Sequence, residues 1–115
     1  MTLDMILMRF TDLSIAGDQA VKAVSEQPEG THADEIETSM MLHIAPSTVD
    51  MSKAAKDFPK GTGPLTPTNP AGRFSPSGIY GDATLATKTK GEKLTEGLVT
   101  DILKDIEALR YLPLP

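Results

Sequence analysis

The clearest periodicity in the chain lies toward its end. Leu94, Leu98, Ile102 and Ile106 recur every four residues, with Val99, Leu103 and Leu109 beside them, while Lys93, Glu96, Asp101, Lys104, Asp105 and Glu107 fill the other face. A helix gathers such positions into one apolar stripe. Asp82 offers an N-cap, so the pattern predicts a helix from Asp82 to about Leu109, ending before Pro113. Gly91 inside it marks a close contact or a bend. A second stripe, Ile36, Met40 and Ile44, predicts a helix from His32 to about Ile44, stopped by Pro46. Thr31, followed at the third position by Asp34, resembles a capping box with Asp in place of Glu or Gln. Asp34, Glu35 and Glu37 then fall in the first turn, where the helix dipole favours negative charge.

Elsewhere the pattern is weaker. Leu3 to Phe10 is a short apolar run and predicts a buried strand within Met1–Phe10, with a helix start as the alternative. Asp12 or Ser14 would cap a helix reaching about Glu26, with Ile15, Ala16, Ala20, Ala23 and Val24 on its apolar side. Gly17 weakens that helix by about 1 kcal/mol relative to Ala. Gln27-Pro28-Glu29-Gly30 ends it. Val49 to Ala55 suggests a short helical turn. Residues 56–78 form a Pro/Gly-rich loop in which five prolines and four glycines leave no regular element. A loop of that length in a compact domain is usually functional or disordered.

Composition narrows the classes. The 115 residues suffice for a single domain with one core. Aromatics are only 4% and Trp is absent, so Leu, Ile, Val, Ala and the six Met must build that core. A net charge of -5, with Lys and Arg scattered singly, argues against nucleic acid. Without Cys there is no disulfide frame, Cys-based zinc site or thiol nucleophile. No apolar run approaches the roughly 20 residues that span a bilayer, and no secretory signal is visible, so a cytoplasmic protein without membrane partners is expected.

Candidate chemistry concentrates in one stretch. His32 and Glu35, three apart on a helix, project from one face. Imidazole and carboxylate together suit zinc, manganese or iron, or a base with its orienting acid. The plainer reading is a helix start that carries His and Glu by chance. His43, amid Met41, Leu42 and Ile44, reads as a partly buried structural residue. Ser39 has no adjacent Gly turn, so a nucleophile elbow is not supported. Gly78-Ile79-Tyr80-Gly81-Asp82 is either an anion-binding approach to a helix N-terminus or a turn with an N-cap.

Taken together, His32-Ala33-Asp34-Glu35-Ile36-Glu37-Thr38-Ser39 resembles the His-Ala-Gly-Glu-x-Glu-Thr-Ser motif of the creatininase family. The segment from Gly78 to Thr87, followed by Lys90-Gly91-Glu92, resembles that family's second C-terminal signature, which precedes a long final helix. The resemblance covers essentially the whole chain. It implies an α/β fold, part of a layered domain with a largely parallel sheet and flanking helices. It also implies a metal-dependent amidohydrolase in a ring-like homo-oligomer, acting on small-molecule amides such as cyclic amides or formamides.

Carried over by position, the resemblance assigns His32 and Glu37 to catalysis and Glu35 to the metal, which would be zinc or manganese, with iron a further option. Two departures stand out. Family members carry a Glu-x-His motif, an Asp ligand and a glycine-rich His motif that do not occur here, and no His precedes His32. The chain is therefore expected to represent the C-terminal half of such a domain. Most metal ligands would come from elsewhere, and the lone chain would be inactive unless a complementing chain supplies them. The alternative is a non-catalytic interaction or assembly fragment. Position 34 is Asp where the family usually has Gly.

Overall fold

The computed structural model describes residues 15–57 and 63–111. The strand expected over Met1–Phe10 lies outside them. Among the described residues there are three α-helices, α1 (Asp18–Val24), α2 (Glu35–Ile44) and α3 (Lys88–Arg110), and two short strands, β1 (Lys56–Asp57) and β2 (Gly81–Asp82).

α1 starts later than expected. Gly17 is its N-cap, with φ 80, a left-handed conformation that costs glycine little. The Gly17 N–H donates to Asp101 Oδ2 on α3 at 2.8 Å. The glycine that weakens a helix here begins one, because a side chain of α3 satisfies its free donor.

α2 also starts later, at Glu35 instead of His32. Asp34 is the N-cap and accepts from the N–H groups of Ile36 at 2.9 Å and Glu37 at 3.2 Å. Glu37 reaches back to the N–H of Ala33. The cap is thus Asp34, three residues on from the expected Thr31, and Glu37 takes the N–H of the residue before the cap instead of the cap's own. The helix ends at Ile44, and Pro46 opens a 3₁₀ turn over Pro46–Thr48. A second 3₁₀ turn, Met51–Lys53, occupies the stretch expected to hold a short turn.

The Asp82 side chain caps a separate 3₁₀ turn, Ala83–Leu85, and α3 begins at Lys88 with Thr87 as its cap. Asp82 takes the amide and hydroxyl of Thr84, which closes a turn too tight to run on as α-helix. The Thr87 N–H donates to Ser39 Oγ at 3.1 Å and so ties the start of α3 to the middle of α2.

The sheet among the described residues is one antiparallel pair, Lys56 opposite Asp82 and Asp57 opposite Gly81. The architecture is mixed α and β; the parallel sheet implied by the resemblance is not among these elements. In the Pro/Gly-rich stretch, Ser75 organises the turn before β2. Its hydroxyl lies 2.9 Å from Asp57 Oδ2 and 2.8 Å from the Ile79 carbonyl. Its N–H donates to the Tyr80 hydroxyl at 2.9 Å.

The core lies where α2 crosses the first half of α3. Leu94, Ala83, Ala86 and Tyr80 are its buried apolar residues, and Glu35 and Ser39 are fully buried beside them. Gly91 permits the crossing, since a Cβ there would collide with the Ser39 backbone. Beyond Leu94 the periodic stripe of α3 is only partly covered. Val99, Leu103 and Ile106 are 48%, 57% and 52% exposed.

Candidate functional site

The chain arrives at α2 through an antiparallel bridge between His32 and Tyr80. The Tyr80 N–H donates to the His32 carbonyl at 2.9 Å, and the Thr31 N–H to the Tyr80 carbonyl at 2.8 Å. Ala33 then takes φ 50, the left-handed region that is uncommon for a residue with a Cβ. That turn brings the His32 ring back over the first turn of α2. His32 Nδ1 stands 3.7 Å from Glu37 Oε2, and both side chains are well exposed, at 61% and 57%. The separation suits an ion pair when the imidazole is protonated and is too long for a hydrogen bond.

Glu37 also lines a groove of about 710 Å³ along the outer side of α2. Met40, Met41, Ile44 and Val49 supply its apolar wall, and Thr38 and Asp50 add polar groups. Ala33 and Glu37 line its end at the start of α2, while His32 stands beside it and is not part of the lining.

Glu35 stands in a different environment. Its side chain has no exposed surface. Oε2 accepts from the N–H groups of Gln27 at 2.8 Å and Glu26 at 2.9 Å, and lies 3.3 Å from the Ser25 hydroxyl. Oε1 accepts from Lys90 Nζ at 2.6 Å and Glu26 N–H at 3.1 Å. Burial pushes the carboxyl up, but the Lys90 ammonium and the amides of Gln27 and Glu26 outweigh it and hold Glu35 below its ordinary value. Lys90 moves the opposite way. Burial pulls it down, but its bonds to Glu26 and Glu35 hold it above the ordinary lysine value. Three residues apart in sequence, His32 and Glu35 are thus not brought together; the pair that meets is His32 with Glu37.

This bears on metal binding. A carboxylate offers about four lone-pair sites, and five donor contacts already surround Glu35, one of them from a cation. It does not fit a divalent metal in this arrangement. His32 and Glu37 supply at most two ligands, fewer than the three protein ligands of a catalytic zinc. Among the described residues, no group of three or more His, Asp or Glu could hold a metal.

In the sequence, Gln27 reads only as a helix terminator and Lys90 only as part of the second signature. The signal for Lys90 was Gly91 beside it. A glycine that lets two helices touch also brings its neighbour's side chain onto the partner helix. Gln27 had no local signal, because its contacts span up to 55 residues. His43 Nδ1 is buried with no hydrogen-bond partner, and its Cβ would lie 3.1 Å from a Cβ at position 91, consistent with a residue wedged at the crossing.

No curated protein and no solved structure matches the chain significantly. The sequence model of one family, Creatininase, described as creatinine amidohydrolase, matches residues 2–106. That span is nearly the whole chain and includes both His32–Ser39 and Gly78–Glu92, so this protein belongs to the creatininase family.

Proposed function

We propose that the chain serves hydrolysis of a non-peptide C–N bond in a small cyclic amide or formamide, with His32 and Glu37 handling the proton. The observation that carries this reading is the exposed imidazole of His32 set 3.7 Å from the carboxylate of Glu37, which itself lines a groove. Amide hydrolysis needs a proton removed from the attacking water and one delivered to the departing nitrogen. An imidazole does both near neutral pH. Glu37 faces Nδ1, which leaves Nε2 as the nitrogen that meets substrate and water. The carboxylate steadies the imidazolium that forms in between. Ala33 N–H, donating to Glu37, fixes where that negative charge sits. The apolar wall of Met40, Met41 and Ile44 suits a compact substrate with little charge.

Zinc, manganese or iron in this proposal would be held mainly by ligands other than Glu35, His32 and Glu37. They would come from a complementing chain or another copy in a homo-oligomer. The exposed α3 stripe favours a second reading, an assembly or interaction fragment of the same family with no turnover of its own.

The test is an assay for ring opening of creatinine and for cleavage of simple formamides. The chain is supplied with zinc or manganese, alone and with candidate complementing chains. His32→Ala should lower kcat by about 10²–10⁴, the usual share of general acid–base catalysis, with an unchanged unfolding midpoint. Equal turnover with and without the imidazole would remove His32 from the reaction. Absence of turnover under every condition would favour the assembly reading.

A further inference from the structure

We propose that Glu35 is a positioning residue. Itself fully buried, it forms with the part-buried Lys90 and Gln27 a latch that fixes the His32–Glu37 pair, and the positive charge it meets is the Lys90 ammonium instead of a metal ion. This rests on the reading of His32 and Glu37 as the proton-handling pair.

Both ends of the ion pair are saturated. Lys90 has three N–H donors, and they meet Glu35 Oε1, Glu26 and the Leu85 carbonyl, the last at 2.9 Å. Glu35 receives backbone amides from two consecutive residues in addition to Lys90. Buried charges persist when every lone pair and proton has a partner, and that completeness marks a network that fixes structure. A metal ligand needs a lone pair facing open space, and Glu35 has none.

Gln27 carries the constraint to the site. Its main-chain N–H holds Glu35, and its side-chain Oε1 accepts from the N–H groups of Asp82 at 3.1 Å and Glu35 at 3.3 Å. Its Nε2 donates to Asp34 Oδ2 at 2.8 Å. The amide lies in a slot with no spare room. A Cβ at position 30 would stand 2.2 Å from Gln27 Nε2, and one at position 81 would stand 2.5 Å from the Asp34 Cβ. The latch thus ties the start of α2 to β2. Glu37 stands on that first turn, and His32 is bridged to Tyr80, two residues before Asp82. Both members of the pair hang on parts that the latch joins.

The distinguishing experiment compares Glu35→Gln, Lys90→Met and the double variant with the unchanged chain. Zinc and manganese binding are read by calorimetry, and exchange of the Ala33 amide proton by NMR. Ala33 N–H donates to Glu37, so its protection reports whether the pair is in place. If a single variant fails to fold, the double variant decides, because removing both charges of a buried pair is tolerated far better than removing one. The latch predicts that metal affinity stays within the error of the titration, whatever its value in the unchanged chain. It also predicts Ala33 exchange about tenfold faster or more under conditions where helix content is retained. A loss of metal affinity of about tenfold or more in Glu35→Gln, of the size expected when metal ligation is disturbed, overturns the proposal. So does a gain in affinity in Lys90→Met, or Ala33 exchange that does not change. None of these readouts uses turnover, so failure of the amide-hydrolysis reading would show separately, in the His32→Ala assay.

Discussion

Gly91 crosses Ser39 so closely that a Cβ at position 91 would lie 1.8 Å from the Ser39 carbonyl oxygen. That contact is backbone against backbone, and no flexible side chain can yield to relieve it. Gly91→Ala must therefore push α3 off α2, loosening the Thr87–Ser39 hydrogen bond and moving Lys90 from Glu35. Overpacking of this kind costs about 1–3 kcal/mol. The urea unfolding midpoint should fall accordingly, and a midpoint equal to that of the unchanged chain would mean that the two helices do not cross this closely.

Asp34 explains its own departure from the glycine usual at that position in the family. An N-cap accepts Asp and Gly with little difference in cost, while Ala is poor there. Both variants lose the Gln27 Nε2 contact to Asp34; beyond that shared cost, loss of the cap should take about 1 kcal/mol in Asp34→Ala and only a few tenths in Asp34→Gly. Thermal unfolding of the two variants side by side checks the order. An Ala variant as stable as the Gly variant would show that the side chain does not cap α2.

The pH dependence of stability follows from the same network. Glu35 is held below its ordinary 4.5, so its contribution is complete above that value and is lost as pH falls through the lower folded value. Asp57, which accepts from Ser77 and Ser75, and Asp101, which accepts from Gly17 N–H, are also lowered and act on the same acid side. Lys90 is held above 10.5, so its contribution is complete below 10.5 and fades as pH rises through the higher folded value. Stability should be flat from about pH 5 to about pH 10 and fall on either side. Urea midpoints across that range test it, and Glu35→Gln should flatten the acid limb. An acid limb as steep in that variant as in the unchanged chain would assign the loss to other carboxylates.

Legibility in the sequence followed the range of the interactions. The four-residue recurrence through Leu94, Leu98, Ile102 and Ile106 exposes α3, because a helix face is a local property. Its start is not legible, since Asp82 and Thr87 are both good caps five residues apart. The tight Asp82–Thr84 turn and the docking of Thr87 on Ser39 separate the 3₁₀ turn from the helix. At α2, Thr31 with Asp34 and Asp34 with Glu37 share one spacing, and periodicity cannot choose between them. The left-handed turn at Ala33 does, by setting His32 outside the helix. That is also why His32 faces Glu37 and not Glu35. The two carboxylates, two positions apart, point to different sides of α2, one to solvent and one to Lys90. Lys90 lies 55 residues further along the chain, and no local pattern links such positions.

The exposed half of α3 carries an apolar strip. Val99, Leu103 and Ile106 fall at spacings of four and three, so they form one continuous strip on the helix. Each is about half exposed, and Tyr111 at 78% extends the apolar surface past the last turn. Isolated apolar side chains at a surface are ordinary, but a contiguous strip of this kind promotes association. Glu96, Lys104, Glu107 and Arg110 flank it with both signs of charge, so the charges beside the strip do not themselves repel a second copy. The purified chain should associate in a concentration-dependent way, read by sedimentation or light scattering. Leu103→Lys, which puts a charge at the centre of the strip, should shift it toward monomer. The unfolding midpoint at low concentration should change little, because Leu103 is 57% exposed and lies outside the α2–α3 core. Association unaltered by Leu103→Lys would place the sticky surface elsewhere. The groove beside Met41 and Ile44 is the next surface to vary.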